Sequence, residues 1–190
     1  MNQRRQRLIL VGVFALFFIP VISAWVLRHN PVLFGTVNKG ILLETPRVVS
    51  ALGLQVQHTP YPDTPLLTQT WSVITVAGRT CDTNCNNNLY ATRQARAGVN
   101  QNYDRVRRIL VVTQTLSTQR LELLTRGHPD VTVVVAMPHW LHSLQGDIPH
   151  GPDTFVVDPR GFLFMTYPVP TQSADILKDL RRLLKISAVG

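Results

Sequence analysis

The pattern of apolar and polar positions opens on an unbroken apolar run. Residues 8–27 are 20 positions without a charge, interrupted only by Gly12, Pro20 and Ser23. At a rise of about 1.5 Å per residue such a helix is about 30 Å long, the thickness of a bilayer core. Arg4, Arg5 and Arg7 precede the run, and only Arg28 follows it closely. Basic flanks stay in the cytoplasm, which predicts an internal N-terminus and an external remainder. A cleaved signal peptide would carry an apolar core of about 7–15 residues and a small-x-small site. Here the run is longer, and Ile22 stands two before Ala24, where a small residue is wanted. The segment reads as an uncleaved anchor.

Beyond it the pattern is irregular over residues 28–70, punctuated by Pro31, Pro46, Pro60, Pro62 and Pro65. Residues 41–43 and 48–54 have the composition of short strands at a domain edge, and 55–67 reads as an exposed loop. From Trp71 the signal sharpens. Residues 71–76 form a β-rich run, 78–88 a loop, and 89–98 a helix with Arg93 and Arg96 facing water. The run 109–113 is continuously apolar, as in a central parallel strand buried on both faces. A second helix spans 117–126, capped by Ser117 and ended by Gly127. Residues 131–137 read as another buried strand. A hairpin joins 154–158 to 162–167 through Pro159-Arg160-Gly161. The stretch 173–186 is an amphipathic helix with Ile176, Leu177, Leu180, Leu183 and Leu184 inward and Lys178, Arg181, Arg182 and Lys185 outward.

Alternating strands and helices imply parallel pairing with right-handed crossovers, and the hairpin makes the sheet mixed. The predicted fold class is α/β, a thioredoxin-like mixed sheet flanked by helices and preceded by one N-terminal transmembrane helix. The expected organisation is an anchor over 1–28, an irregular linker and edge segment over 29–70, and the thioredoxin-like domain over 71–190.

Charge changes this picture little. The chain carries 19 basic and 11 acidic residues, a net +8, but Arg4, Arg5, Arg7 and Arg28 belong to the anchor region. The external part keeps 15 basic against 11 acidic residues, a modest +4 that does not argue for nucleic acid.

The candidate chemistry rests on the two cysteines, Cys81 and Cys85. A lone pair in an oxidising compartment is usually a disulfide. A loop this short gains least from cross-linking, which favours metal or thiol chemistry over a structural staple. The pair follows a strand and precedes a helix, at the sheet edge where open α/β folds bind ligands. A helix N-terminus favours thiolate, the nucleophile of disulfide exchange and a soft ligand for Cu(I). A third copper ligand would come from the six histidines, His29, His58, His128, His139, His142 and His150. His29 abuts the anchor, His58 sits in a Pro-rich loop, and His128 closes a helix in an exposed setting. His139 and His142, three apart, are a weak metal signal. His150 precedes the hairpin, in a loop that this fold places beside the cysteine loop. Asp158 and Gly161 read as a turn. Asp82 either raises the cysteine pKa values or is simply solvated.

These residues resemble a family. The segment Cys81-Asp-Thr-Asn-Cys85, and His150 eight residues before Asp158 in His150-Gly-Pro-Asp-Thr-Phe-Val-Val-Asp158-Pro-Arg-Gly161, are similar to the Sco family of cytochrome c oxidase assembly proteins. The resemblance runs from about Trp71 to the C-terminus and includes the anchor. It is that of a divergent member. Asp82 and Asn86 stand where the family carries prolines, Pro149 stands where it carries aspartate, and Ala77-Gly-Arg-Thr80 is atypical. The resemblance implies Cu(I) held by Cys81, Cys85 and His150, and a cis-proline position at Pro152. It implies a copper chaperone or assembly factor rather than an enzyme. The implied partners are cytochrome c oxidase subunit II or another oxidase assembly factor. The implied location is the bacterial inner (cytoplasmic) membrane, single-pass, with the C-terminal domain facing the periplasm. Two alternatives stay open: a thiol-disulfide oxidoreductase using Cys81 and Cys85, and a non-catalytic scaffold.

Overall fold

The computed structural model describes residues 3–29, 38–77, 81–145 and 154–187. The chain divides into two units, residues 1–37 and 38–190. The first contains helix α1, Gln3–His29, 27 residues with Pro20 inside it. Its side chains over 10–26 are exposed, except the half-buried Ala15. Among the described residues no helix is long and apolar enough to cross a membrane.

The second unit is a seven-stranded mixed sheet in the order β1-β7-β6-β3-β4-β5-β2. Its strands are β1 (Ile41–Val48), β2 (Leu54–His58), β3 (Trp71–Val76), β4 (Val106–Val112), β5 (Val131–Ala136), β6 (Thr154–Val157) and β7 (Phe162–Tyr167). The central β3, β4 and β5 are parallel, joined through helices α2 (Thr83–Gly98) and α3 (Thr118–Gly127). Strands β6 and β7 are the expected hairpin, with β6 antiparallel to β3. Helix α4 (Pro138–Gln145) follows β5, and α5 (Ser173–Ile186) closes the chain.

Alternation along the strands sorts the core into two faces. Ile109, Val111, Val134 and Phe155 pack with Trp140 and Leu144 of α4 and with Leu67. On the opposite face Val73, Val106, Val156 and Met165 pack with Ala95 of α2 and Ile176 and Leu180 of α5. Leu110, Val112 and Val133 meet Leu89 of α2 and Leu121 and Leu124 of α3 on that face.

Two strands lie in the stretch that reads as irregular. Strand β1 forms one sheet edge against β7, and β2 forms the other against β5. Residues 55–58 are therefore strand rather than exposed loop. Gln55, Gln57 and His58 hid it, because an edge strand tolerates polar residues that a central one does not.

The outward orientation expected for Arg96 is corrected. Arg96 is 0% exposed and Arg108 1%, and both pair with Asp130, at 2.8 and 2.6 Å. Arg96 Nε also donates to the Val106 carbonyl at 2.6 Å, and Arg108 Nε to Thr92 Oγ1 at 3.1 Å. The Arg96 guanidinium lies 3.5 Å from the centre of the Tyr103 ring, and that of Arg107 lies 3.6 Å from the centre of Tyr61. The cause is long-range. Asp130 stands 34 residues beyond Arg96, so no local pattern marks this arginine as inward.

A second buried polar group ties the start of the unit to its end. Asp179 of α5, 1% exposed, accepts from Lys39 N and Gly40 N, each at 2.8 Å, and from the Tyr167 hydroxyl at 2.9 Å. Burial, reinforced by that carboxylate, pushes the Tyr167 phenol far up. A Cβ on Gly40 would stand 2.6 Å from Met165 Cγ and 2.9 Å from Tyr167 Cζ. Gly40→Ala is therefore expected to lower stability by about 1–3 kcal/mol, the range for overpacking. A urea midpoint within error of wild type would contradict it.

Candidate functional site

The cysteines lie past the carboxyl end of β3, the strand paired with β4 on one side and β6 on the other. Helix α2 starts at Thr83, not at residue 89 as the sequence suggests, so Cys85 sits in its first turn and Cys81 just before it. The Asn86-Asn87-Asn88 run disguises this start, since asparagine favours caps and turns over helix interiors. Asp82 compensates as the N-cap, its Oδ1 accepting from Cys85 N at 2.9 Å. That is the role of the acid between the cysteines.

Cys81 and Cys85 form a disulfide, with Cα atoms 5.1 Å apart. Both residues are 4% exposed and pack against Ala77, Leu89 and Leu116. Two side chains frame Cys81. Asn86 Nδ2 donates to the Asp82 carbonyl at 2.9 Å and the Cys81 carbonyl at 3.5 Å. Arg120 of α3 donates from Nη2 to the Cys81 carbonyl at 3.2 Å. Cys81, Asn86, Arg120, Leu123 and Leu124 line a pocket of about 160 Å³, and Cys85 does not reach it.

His150 and Pro152 lie outside the described residues. The cis peptide bond among the described residues is Val169–Pro170. His139 and His142 are exposed on α4, while Trp140 between them is 3% exposed and donates from Nε1 to the Ser50 carbonyl at 2.8 Å. His58 belongs to β2. His128 is half-buried rather than exposed, and its pKa is lowered by burial and then by Arg108 and Arg93. Among the described residues, no three His, Cys, Asp or Glu side chains are grouped to hold one metal ion. Asp158 Oδ1 accepts from Arg160 N at 2.9 Å and Phe162 N at 2.8 Å, which makes it a turn residue as expected.

Sequence reasoning missed Arg120. A signal existed: it stands in the first turn of α3, three residues after the Ser117 cap, where a cation opposes the helix dipole. A basic residue there asks for a partner outside its own helix.

Fold and site together define a thioredoxin-fold protein with a disulfide at the start of the first helix of the βαβ unit. Residues 71–187 match the family described as transmembrane-like, thioredoxin-like, C-terminal domain, and the chain belongs to that family. No curated protein sequence matches it significantly. Its fold is similar to that of the apo Sco1 protein of Thermus thermophilus, with 17% identity, a TM-score of 0.55, and 78% of this chain and 99% of that one covered. It is also similar to yeast Sco1 with copper bound, at 12% identity and TM-score 0.54, covering 64% and 82% of the two chains. A third similar fold is the thioredoxin domain of a thiol-disulfide oxidoreductase from Bacteroides vulgatus, at 13% identity and TM-score 0.51, covering 74% and 98%. At these identities the likeness is one of fold.

Proposed function

We propose that the chain is a membrane-anchored, Sco-like assembly factor for a respiratory cytochrome c oxidase, acting on the thiols of the oxidase copper site through Cys81 and Cys85. The observation that carries this reading is the Cys81–Cys85 disulfide at the start of α2, with Cys81 bordering a pocket and Cys85 behind it. In the oxidised form a partner thiolate attacks the Cys81 sulfur, forming a mixed disulfide and releasing the Cys85 thiolate. The partner's second thiolate then attacks its own sulfur in that bond and releases Cys81. Two electrons pass to this protein, and the partner leaves as a disulfide. The reverse sequence, starting from the Cys81 thiolate, reduces a partner disulfide.

The anchor is part of the proposal. It is supported by the sequence, in the uncharged run over residues 8–27 and the arginines that precede that run. Those arginines support the orientation proposed, with the domain on the periplasmic side of the bacterial inner membrane, and the proposed partner is subunit II or another assembly factor.

Carriage of Cu(I) is the second reading, favoured by the three-residue spacing of the cysteines. Reduction of the bond frees two thiolates at the N-terminal end of α2, a soft donor pair suited to Cu(I) as cargo. His150 is the proposed third donor.

The test uses the full-length chain in detergent, reduced and mixed with oxidised glutathione. Wild type is expected to re-form the Cys81–Cys85 bond, Cys85→Ser to trap glutathione on Cys81, and Cys81→Ser to lose exchange through this site. Wild type that stays reduced while both thiols alkylate freely would defeat the exchange reading. Titration of Cu(I) against a competing chelator separates the second reading: one tight site, lost in Cys81→Ser, Cys85→Ser or His150→Ala, is the result it requires.

A further inference from the structure

We propose that the outer face of α5, together with Lys39, docks on the anionic phospholipid headgroups of the membrane in which the chain is anchored. The inference rests on the anchoring proposed above. Three observations carry it. The sequence holds three lysines, Lys39, Lys178 and Lys185, and all of them belong to this place. Two stand on α5, and Lys39 donates its backbone N–H to Asp179 of the same helix at 2.8 Å. The exposed charges of α5 also have one sign. Lys178, Arg181, Arg182 and Lys185 are exposed, while its acids are the half-buried Asp175 and the buried Asp179. Among the described residues, none of these four cations is ion-paired with a carboxylate. Finally, the chain enters this unit at α5. Lys39 and Gly40 both donate to Asp179, and residues 30–38 are all the sequence between the end of α1 at His29 and Lys39.

Solvation alone does not sort the signs this way. Helix α3 exposes Arg120 and Arg126 with Glu122 between them, the mixture expected of a merely wet face. The dipole of α5 favours a cation in its last turn, which accounts for Lys185 but not for Lys178 or Arg181. The apolar stripe of the helix is spent on the core, where Ile176, Leu180 and Leu184 are buried. What remains outside is read by charge. Clusters of about four to eight Lys and Arg on an amphipathic helix are the pattern that binds anionic lipid. The linker decides between a membrane and an acidic protein. A short tether makes the second contact intramolecular and raises its effective concentration, so a face too weak to recruit a distant surface docks on one the chain already holds. Docking turns a domain free to rotate on its tether into one held in a single orientation.

The experiment reconstitutes the full-length chain in nanodiscs of phosphatidylcholine, alone or with one-third phosphatidylglycerol, and maps lysine acetylation rates by mass spectrometry. Lys39, Lys178 and Lys185 should react about tenfold more slowly in the anionic discs. At about 1 M salt, where the Debye length is about 3 Å, the difference should vanish. Arg181→Gln/Arg182→Gln keeps all three reporters and should remove most of the slowing, since each cation lost weakens docking about fivefold. A lysine placed on the opposite face of the sheet by His142→Lys, on α4, should react equally in both lipids. Equal rates at the three native lysines, in a chain that stays with the discs, overturn the docking, leave the anchoring intact and turn the face over to an acidic protein. Slowing at His142→Lys to the same degree also overturns it, by showing proximity without a docked face. Release of the chain from the discs at alkaline pH overturns the anchoring, and this inference with it.

Discussion

Replacing Asp130 with alanine is expected to lower the stability of the domain by about 3–5 kcal/mol, the range for removing one partner of a buried ion pair. Asp130 is the shared acceptor of Arg96 and Arg108, whose side chains are each 1% exposed. Without it two guanidinium groups remain buried, with carbonyl and hydroxyl acceptors but no counter-charge. Urea unfolding followed by circular dichroism measures the loss, and a change under 1 kcal/mol would show that water already reaches both cations. The same carboxylate makes stability depend on pH. Burial alone would raise its pKa, but Arg108 and Arg96 outweigh burial and hold it below the usual range. A lowered folded-state pKa means a contribution fully present above the unfolded value of about 3.9 and lost as pH falls through the folded one. His128 acts earlier with the same sign. Its depressed pKa means that acid begins to favour the unfolded chain near pH 6.5, the approximate value of a free histidine. Acid should therefore weaken the domain in two steps, and Asp130→Ala should remove the lower one.

Asp179→Ala is the second large effect, expected at about 2–4 kcal/mol, since removing the acceptor leaves buried donors unsatisfied. The donors are Lys39 N, Gly40 N and the Tyr167 hydroxyl. Tyr167→Phe removes one of them together with its need for a partner, so it should cost clearly less. Equal losses in the two variants would mean that the backbone donors at residues 39 and 40 contribute nothing. Hydrogen exchange at those two amides gives an independent check, with protection falling in Asp179→Ala and persisting in Tyr167→Phe.

What the sequence made legible follows from what is local. Helix α5 shows its apolar stripe within its own residues, and its expected bounds match the observed Ser173–Ile186. The valine-rich β4 and β5 read as buried strands for the same reason. The features that escaped depend on distant partners. Arg96 and Asp130, Asp179 and the amides of residues 39 and 40, and Arg120 and Cys81 each join segments the pattern treats as unrelated. Of the candidate site, the cysteines and their place after β3 were legible from spacing and element order. The early start of α2 was not, because the asparagine run conceals a helix that Asp82 caps.

The order of synthesis gives the sheet edges a further meaning. Strands β1 and β2 are made first, yet Ile41 pairs with Thr166 and Leu54 with Ala136. At a ribosomal rate of about 5–20 residues per second, β1 waits on the order of ten seconds for its partner. A strand that must wait unpaired is exposed to the wrong neighbour. Both early strands carry the residues that deter such pairing: Glu44, Pro46 and Arg47 in one, Gln55, Gln57 and His58 in the other. The valine-rich β5 emerges only after β4, the neighbour that covers one of its sides, already exists. The chain thus releases its two edge strands first, and the valine-rich β4 and β5 each emerge when a neighbour is already at hand.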